Sequence, residues 1–189
     1  MIVVFGGAFN PPTIAHYEVA KHMIKRSGVS KLLFVPVGDH YEKAGLVPAF
    51  HRVNMLKKVT QILPKTSVST IEIDADCALK TMETLESIQN LYPEAEIAFV
   101  MGADNLYDLP NWYAYERLIE TFKFMVLNRQ NLEVKGFIEE HFPENKEKFI
   151  LIDDFTALNI SSTQYRSDTG APNLVLPEVE AYIKQHSLY

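Results

Sequence analysis

Short apolar runs alternate along the chain with longer stretches whose apolar positions fall three and four residues apart. Ile2-Val3-Val4-Phe5 is the first run, and it passes through Gly6 to Pro12 into a stretch where Ile14, Val19, Met23 and Ile24 predict a helix over 14–26, ending near Ser27-Gly28. Leu32-Leu33-Phe34-Val35-Pro36 reads as a buried strand, so the chain opens as β-α-β. Residues 38–48 are polar and turn-rich, residues 49–63 give a helix with Val53, Leu56, Val59 and Leu63 inward, and Ser67 to Asp74 alternates like a strand. A helix follows over Thr81 to Leu91, closed by Pro93. Ile97 to Met101, cut off by Gly102, and Phe124 to Leu127 are two more runs, with a helical stretch from Tyr113 to Thr121 between them. Residues 134–141 predict a further helix, Phe149 to Ile152 a last strand, Ser161 onward a short helix and Val179 to His186 a closing one. The segments 38–48 and 130–148 are expected to be the flexible ones.

Strands that alternate with helices and lack hairpin signals imply an α/β fold with a mainly parallel sheet, doubly wound with helices on both faces. Such sheets bind ligands outside the carboxyl ends of their strands. With 189 residues and 47% hydrophobic content, one domain spanning 1–189 is expected. A formal charge of -6 argues against nucleic acid as a partner and leaves room for a small anion in a locally basic pocket. Cys77 stands alone, which rules out an internal disulfide or a cysteine-built zinc site and fits a reducing compartment. No apolar run approaches the roughly 18 residues a membrane span needs, so a soluble, cytoplasmic protein is expected. A homo-oligomer is left open.

Two segments carry candidate chemistry. Gly6 and Gly7 let the backbone approach a ligand, and the helix start that follows presents unpaired N–H groups, an arrangement suited to phosphate. Thr13 and His16, three apart, share a face at that helix start. The plainer reading is that Thr13 is an N-cap and His16 a surface histidine. Far down the chain, Ser161 followed by Gln164 has the capping-box spacing, Ser162 and Thr163 add hydroxyls, and Arg166 lies one turn on with a fork suited to phosphate oxygens. Taken alone, this is also consistent with an ordinary capped helix.

Together the segments Gly6 to His16 and Ile160 to Arg166 resemble the nucleotidyltransferases that carry a (T/H)xGH motif near the N-terminus and an ISSTxxR motif near the C-terminus. Met101-Gly102-Ala103-Asp104 and Leu109-Pro110-Asn111-Trp112-Tyr113 look like the GxD and PxWY segments of bacterial nicotinate-nucleotide adenylyltransferases, and Phe50 to Leu56 and Ser187-Leu188-Tyr189 extend the likeness. The resemblance implies a Rossmann-like fold and transfer of AMP from ATP to a pyridine mononucleotide, with Mg²⁺ held mainly by the ATP phosphates and no metal ligand from the protein. It implies Thr13, His16 and Arg166 as catalytic residues on the triphosphate. It also implies that Gly7, Ala8, Phe9, Gly102, Asp104, Ser162 and Thr163 bind ATP, Asp104 through the ribose. Lys43, Thr81, Trp112 and Tyr113 are implied on the acceptor, with Trp112 stacked on the pyridine ring. From position alone, Trp112 is either a stacking platform or a loop anchor, and Asp104 is equally an N-cap for a short helix.

Four positions depart from the pattern. Ala15 stands where the motif has glycine, Thr13 takes the place usually held by histidine in the nicotinate branch, His40-Tyr41-Glu42-Lys43 replaces a PPHK stretch, and Leu79-Lys80-Thr81 replaces SYT. Other phosphorylated acceptors such as phosphopantetheine, a cytidylyl donor, or a nucleotide-binding homologue with weakened catalysis are the alternatives these departures leave open.

Overall fold

A computed structural model describes residues 1–128, 133–156, 158–167 and 173–189. Six parallel strands form one sheet: β1 (Ile2–Gly7), β2 (Lys31–Pro36), β3 (Thr66–Val68), β4 (Ile97–Gly102), β5 (Lys123–Leu127) and β6 (Phe149–Ile152). They lie in the order β3-β2-β1-β4-β5-β6. The chain thus builds outward in one direction from β1 to β3, then returns to the middle and builds outward in the other from β4. The switch point between β1 and β4 opens a crevice at their carboxyl ends, where ligands bind in sheets of this kind.

The helices are α1 (Ile14–Met23), α2 (Ala49–Ile62), α3 (Thr81–Leu91), α4 (Ala103–Asp108), α5 (Tyr115–Thr121), α6 (Val134–His141), α7 (Ser162–Ser167) and α8 (Pro177–Gln185). Alternate residues of the strands face opposite sides, and each side has its own apolar layer. Val3, Phe34, Val100 and Met125 pack with Val19 and Met23 of α1, Leu56 and Val59 of α2, and Val179 of α8. Val4, Leu33, Phe99 and Phe124 pack on the other side with Leu85 of α3, Leu118 of α5 and Ile138 of α6. Strands buried on both faces explain why the apolar runs are continuous rather than alternating.

The predicted strand over Ser67 to Asp74 is too long. Pairing to β2 ends with the Ser69 N–H on the Phe34 carbonyl at 2.8 Å, and the chain then turns, with the amides of Ile73 and Asp74 both reaching the Thr70 carbonyl at 2.8 Å. The alternation of Ile71, Glu72 and Ile73 comes from packing of a turn at the sheet edge, where Ile71 lies against the second apolar layer. Residues 103–111 are helical, the short helix that the N-cap reading of Asp104 allowed without giving it bounds. Ala103, Leu106 and Leu109 are buried, a spacing too short to stand out in the sequence. Within it Gly102 is the N-cap, so Asp104 sits inside the first turn rather than capping it. The stretch from Tyr113 turns helical only at Tyr115, after Ala114 with φ of 52°.

The edge turn meets the loop that follows β2. A Cβ built on Gly38 would lie 2.2 Å from the Glu72 carbonyl oxygen, a backbone atom with no rotamer to yield. Gly38→Ala is therefore expected to destabilise the protein by about 1–3 kcal/mol, as overpacking does. A thermal melt of the variant measures this, and an unchanged Tm would show that the edge turn gives way.

Candidate active site

Past the end of β1 the chain runs through Ala8, Phe9 and Asn10 before α1 begins. Phe9 takes a φ of 47°, and its buried ring packs edge-on against Phe5, Phe34 and His16, placing the His16 imidazole over an aromatic floor. The start of α1 fixes the tilt and tautomer of that imidazole. The Thr13 N–H donates to His16 Nδ1 at 2.9 Å, and Thr13 Oγ1 is 2.8 Å from the same nitrogen. A backbone N–H can only donate, so Nδ1 is the acceptor and the proton of the neutral ring resides on Nε2. Histidine thus fills the place that glutamate or glutamine has in an ordinary capping box.

Helix α7 brings the second motif to the same place. Ser161 Oγ accepts the Gln164 N–H at 3.1 Å, as its capping role predicts. Ser162 Oγ donates to the Pro11 carbonyl at 2.8 Å, Arg166 Nη1 donates to the Asn10 carbonyl at 2.8 Å, and Arg166 Nη2 reaches Thr163 Oγ1 at 3.2 Å. Segments some 150 residues apart are therefore bonded directly, with Ser162 and Pro11 separated by 151 positions. Between them lies a cavity of about 290 Å³, and Ala8, His16, Lys43, Ser162, Thr163 and Arg166 are on its wall. Phe9 and Ala15 also line it, so the Ala15 methyl occupies the glycine position of the motif without closing the cavity. Among the described residues no carboxylate lines this space. Five hydroxyl- or nitrogen-bearing side chains, Asn10, His16, Ser161, Ser162 and Thr163, and two cations line it, a donor set for polyanions rather than for a bare metal ion.

The remaining candidate residues divide. Gly7 ends β1 and Gly102 ends the adjacent β4, so both border the crevice, and Asp104 follows in the first turn of α4. Thr81, Trp112 and Tyr113 are not on the wall of the cavity that holds Lys43. Trp112 is half-buried against Phe99 of β4, with ring centroids 6.1 Å apart at 77°, and its Nε1 donates to Asp108 Oδ2 at 3.2 Å. That bond and contact hold the indole in one orientation, so the loop-anchor role is met whether or not a ligand stacks on it. Tyr113 is 60% exposed beside it. Thr81 is the first residue of α3, just after Lys80, whose N–H is taken by Glu83 Oε2 at 2.7 Å.

Three residues that motif spacing did not single out frame the site. Asn10 is 1% exposed and uses its whole side chain: Nδ2 donates to the Gly45 carbonyl at 2.8 Å, while Oδ1 accepts the Val47 N–H at 3.1 Å and the Tyr189 hydroxyl at 2.8 Å. Arg52 is wholly buried and donates to the carbonyls of Val47 (2.8 Å), Val37 (2.7 Å) and Ala8 (3.3 Å) and to Asp39 Oδ1 at 3.0 Å. Burial draws its guanidinium below the ordinary arginine value, and the bond to Asp39 opposes that. Close by in charge terms, the Glu72 carboxyl is lifted above the usual carboxylate range by burial, against the pull of the Thr84 hydroxyl and of Arg52. Arg52 had a legible signal, since it shares the inward stripe of α2 with Leu56 and Val59 at helical spacing. Asn10 had none, because asparagine in a loop is the commonest of turn residues.

Comparison with known proteins agrees with this architecture. Residues 4–168 match the cytidylyltransferase-like family. The nicotinate-nucleotide adenylyltransferase of Bacillus subtilis is 27% identical over 100% of this chain and 97% of its own length. A protein of Acholeplasma laidlawii named "probable nicotinate-nucleotide adenylyltransferase" is 32% identical, again over 100% of this chain and 97% of its own length. Among solved structures, the nicotinic acid mononucleotide adenylyltransferase of Plasmodium falciparum, complexed with APC or with NaAD, superposes with a TM-score of 0.80 at 22% identity, covering 100% of this chain and 96% of that one. At that identity the likeness speaks for the fold. The family match over most of the chain and the full-length relatives place this protein in the cytidylyltransferase-like family, in its nicotinate-nucleotide adenylyltransferase branch.

Proposed function

We propose that the protein transfers AMP from ATP to nicotinate mononucleotide, releasing pyrophosphate and forming the dinucleotide of the NAD pathway. The observation that carries this reading is the cavity past the end of β1 on whose wall His16 meets Ser162, Thr163 and Arg166 from a distant segment, with Thr13 bonded to His16. The acceptor's phosphate oxygen attacks the α-phosphorus, a new P–O bond forms, and the bond to the bridging oxygen of the pyrophosphate breaks. The nucleophile is already anionic, so no general base is required. What the protein supplies is position and charge neutralisation as negative charge grows on the leaving pyrophosphate.

In this reading Arg166 offers phosphate oxygens the N–H groups not used on Asn10 and Thr163, and His16 offers Nε2–H from its neutral form. Asp104 holds the adenosine ribose, Gly7 and Gly102 allow close approach of the nucleotide, and Trp112, Tyr113 and Thr81 receive the pyridine half. Lys43, which the resemblance set on the acceptor, shares one cavity wall with His16 and Arg166 and in this reading meets the ATP phosphates instead. The described lining residues include no carboxylate, so Mg²⁺ would be carried mainly on the ATP phosphates and would supply further charge screening there.

The test is pyrophosphate release with Mg²⁺, ATP or CTP, and a panel of nicotinate mononucleotide, nicotinamide mononucleotide and phosphopantetheine. Turnover with ATP and nicotinate mononucleotide is the expected result. Turnover with phosphopantetheine alone would reassign the acceptor, and ATP binding without any pyrophosphate release would overturn the enzymatic reading.

A further inference from the structure

Beyond α8 the chain folds back, with the Leu188 N–H on the Ile183 carbonyl at 3.1 Å, and sets the Tyr189 ring edge-on against the buried Tyr165. The Tyr189 hydroxyl then reaches Asn10 Oδ1 at 2.8 Å. Burial lifts this phenol above its ordinary value, so its hydroxyl remains a donor across the working pH range. Asn10 in turn bonds to two separate parts of the cavity wall. Its side chain holds the loop that carries Lys43, through the Gly45 carbonyl and the Val47 N–H, and its carbonyl holds Arg166. An amide whose oxygen takes two donors and whose nitrogen is engaged has a single orientation, and removing one donor loosens it.

We propose that Tyr189 is a positioning residue for ATP, acting through Asn10 to hold Lys43 and Arg166 on one wall of the triphosphate cavity. This rests on the reading of that cavity as the ATP site, and it adds a residue from outside both phosphate motifs. No contact between Tyr189 and the nucleotide is required. Loss of one hydrogen bond of this kind is worth about a three- to tenfold change in an equilibrium.

Tyr189→Phe keeps the ring packing and removes only the hydroxyl. The expected result is a rise of about fivefold in KM for ATP. With it, kcat and the acceptor KM should stay within about twofold, and Tm close to that of the unaltered protein. Lys43 is the only lysine or arginine between residues 38 and 48, so tryptic cleavage after it reports the loop directly and should quicken in the variant. Calorimetric binding of a non-hydrolysable ATP analogue should weaken by the same factor as KM, and it does so whichever acceptor the enzyme uses. If the panel above fails while analogue binding weakens and cleavage quickens, the acceptor reading falls and the positioning role stands. Unchanged analogue affinity with unchanged cleavage at Lys43 overturns the proposal. So does a loss that appears only in Tyr189→Ala and follows its Tm, since that would mark the ring as packing alone.

Discussion

Replacing His16 with alanine is expected to lower turnover about a hundredfold or more while leaving the fold intact, because a donor aimed at developing phosphate charge acts mainly in the transition state. The structure shows His16 as a cap and the proposed function adds a phosphate-donor role, and the variants must separate the two. Its Nδ1 accepts the Thr13 N–H at 2.9 Å and so caps α1, while Nε2 carries the proton. Alanine loses both, and the cap alone costs about 1 kcal/mol, or a fall of about 2–4 °C in Tm for a protein of this size. His16→Glu restores the acceptor that a capping box ordinarily uses and returns Tm toward the starting value. It also turns a carboxylate toward the phosphates, so turnover is expected to be lower still. Melting curves beside steady-state rates decide the matter: if the glutamate variant recovers activity along with stability, His16 is a cap and nothing more.

The largest effect on stability is expected at Arg52. Arg52→Met is similar in length and apolar, but it strands the carbonyls of Val47, Val37 and Ala8 that the guanidinium now satisfies. The ion pair with Asp39 contributes less than these carbonyls. The Asp39 side chain is 57% exposed, and pairs open to solvent are worth under about 1 kcal/mol. Each stranded buried acceptor costs about 1–3 kcal/mol, so the variant should lose several kcal/mol and on the order of 10 °C in Tm. Asp39→Asn should shift Tm by only a few degrees. Equal losses in the two variants would mean that the ion pair, and not the carbonyls, holds the loop after β2.

Much of this fold was legible because its strands are buried on both faces and write themselves as unbroken apolar runs. Thr81 to Leu91 matches its predicted bounds, with Leu85 and Ile88 inward and Pro93 beyond its end. The failures arose where local pattern and tertiary position disagree. Ile71 and Ile73 alternate with polar residues as in a strand, yet the chain there turns to bring the Glu72 carbonyl against Gly38. Helix α4 is six residues long, too short for its period to declare itself. In the site, residues that would touch phosphate belong to short motifs and were visible as such. Those that hold the motifs together, Asn10, Arg52 and Tyr189, act through backbone carbonyls and single hydroxyls of distant segments, and no spacing rule encodes such partners.

The bond from Ser162 to Pro11 has a consequence for how the protein matures. The ribosome makes Gly6 to His16 well before Ser162 to Arg166, so a nascent chain that has not yet passed α7 has half of the proposed binding site. In the proposed reading, nucleotide binds fully only after α7 has docked onto elements made long before. ATP then selects the finished molecule over every partly assembled one, adding about 2.7 kcal/mol at a concentration a hundredfold above its Kd. In the proposed reading the substrate thereby serves as a clasp between the loop before α1 and helix α7, and its depletion would leave that junction easier to open.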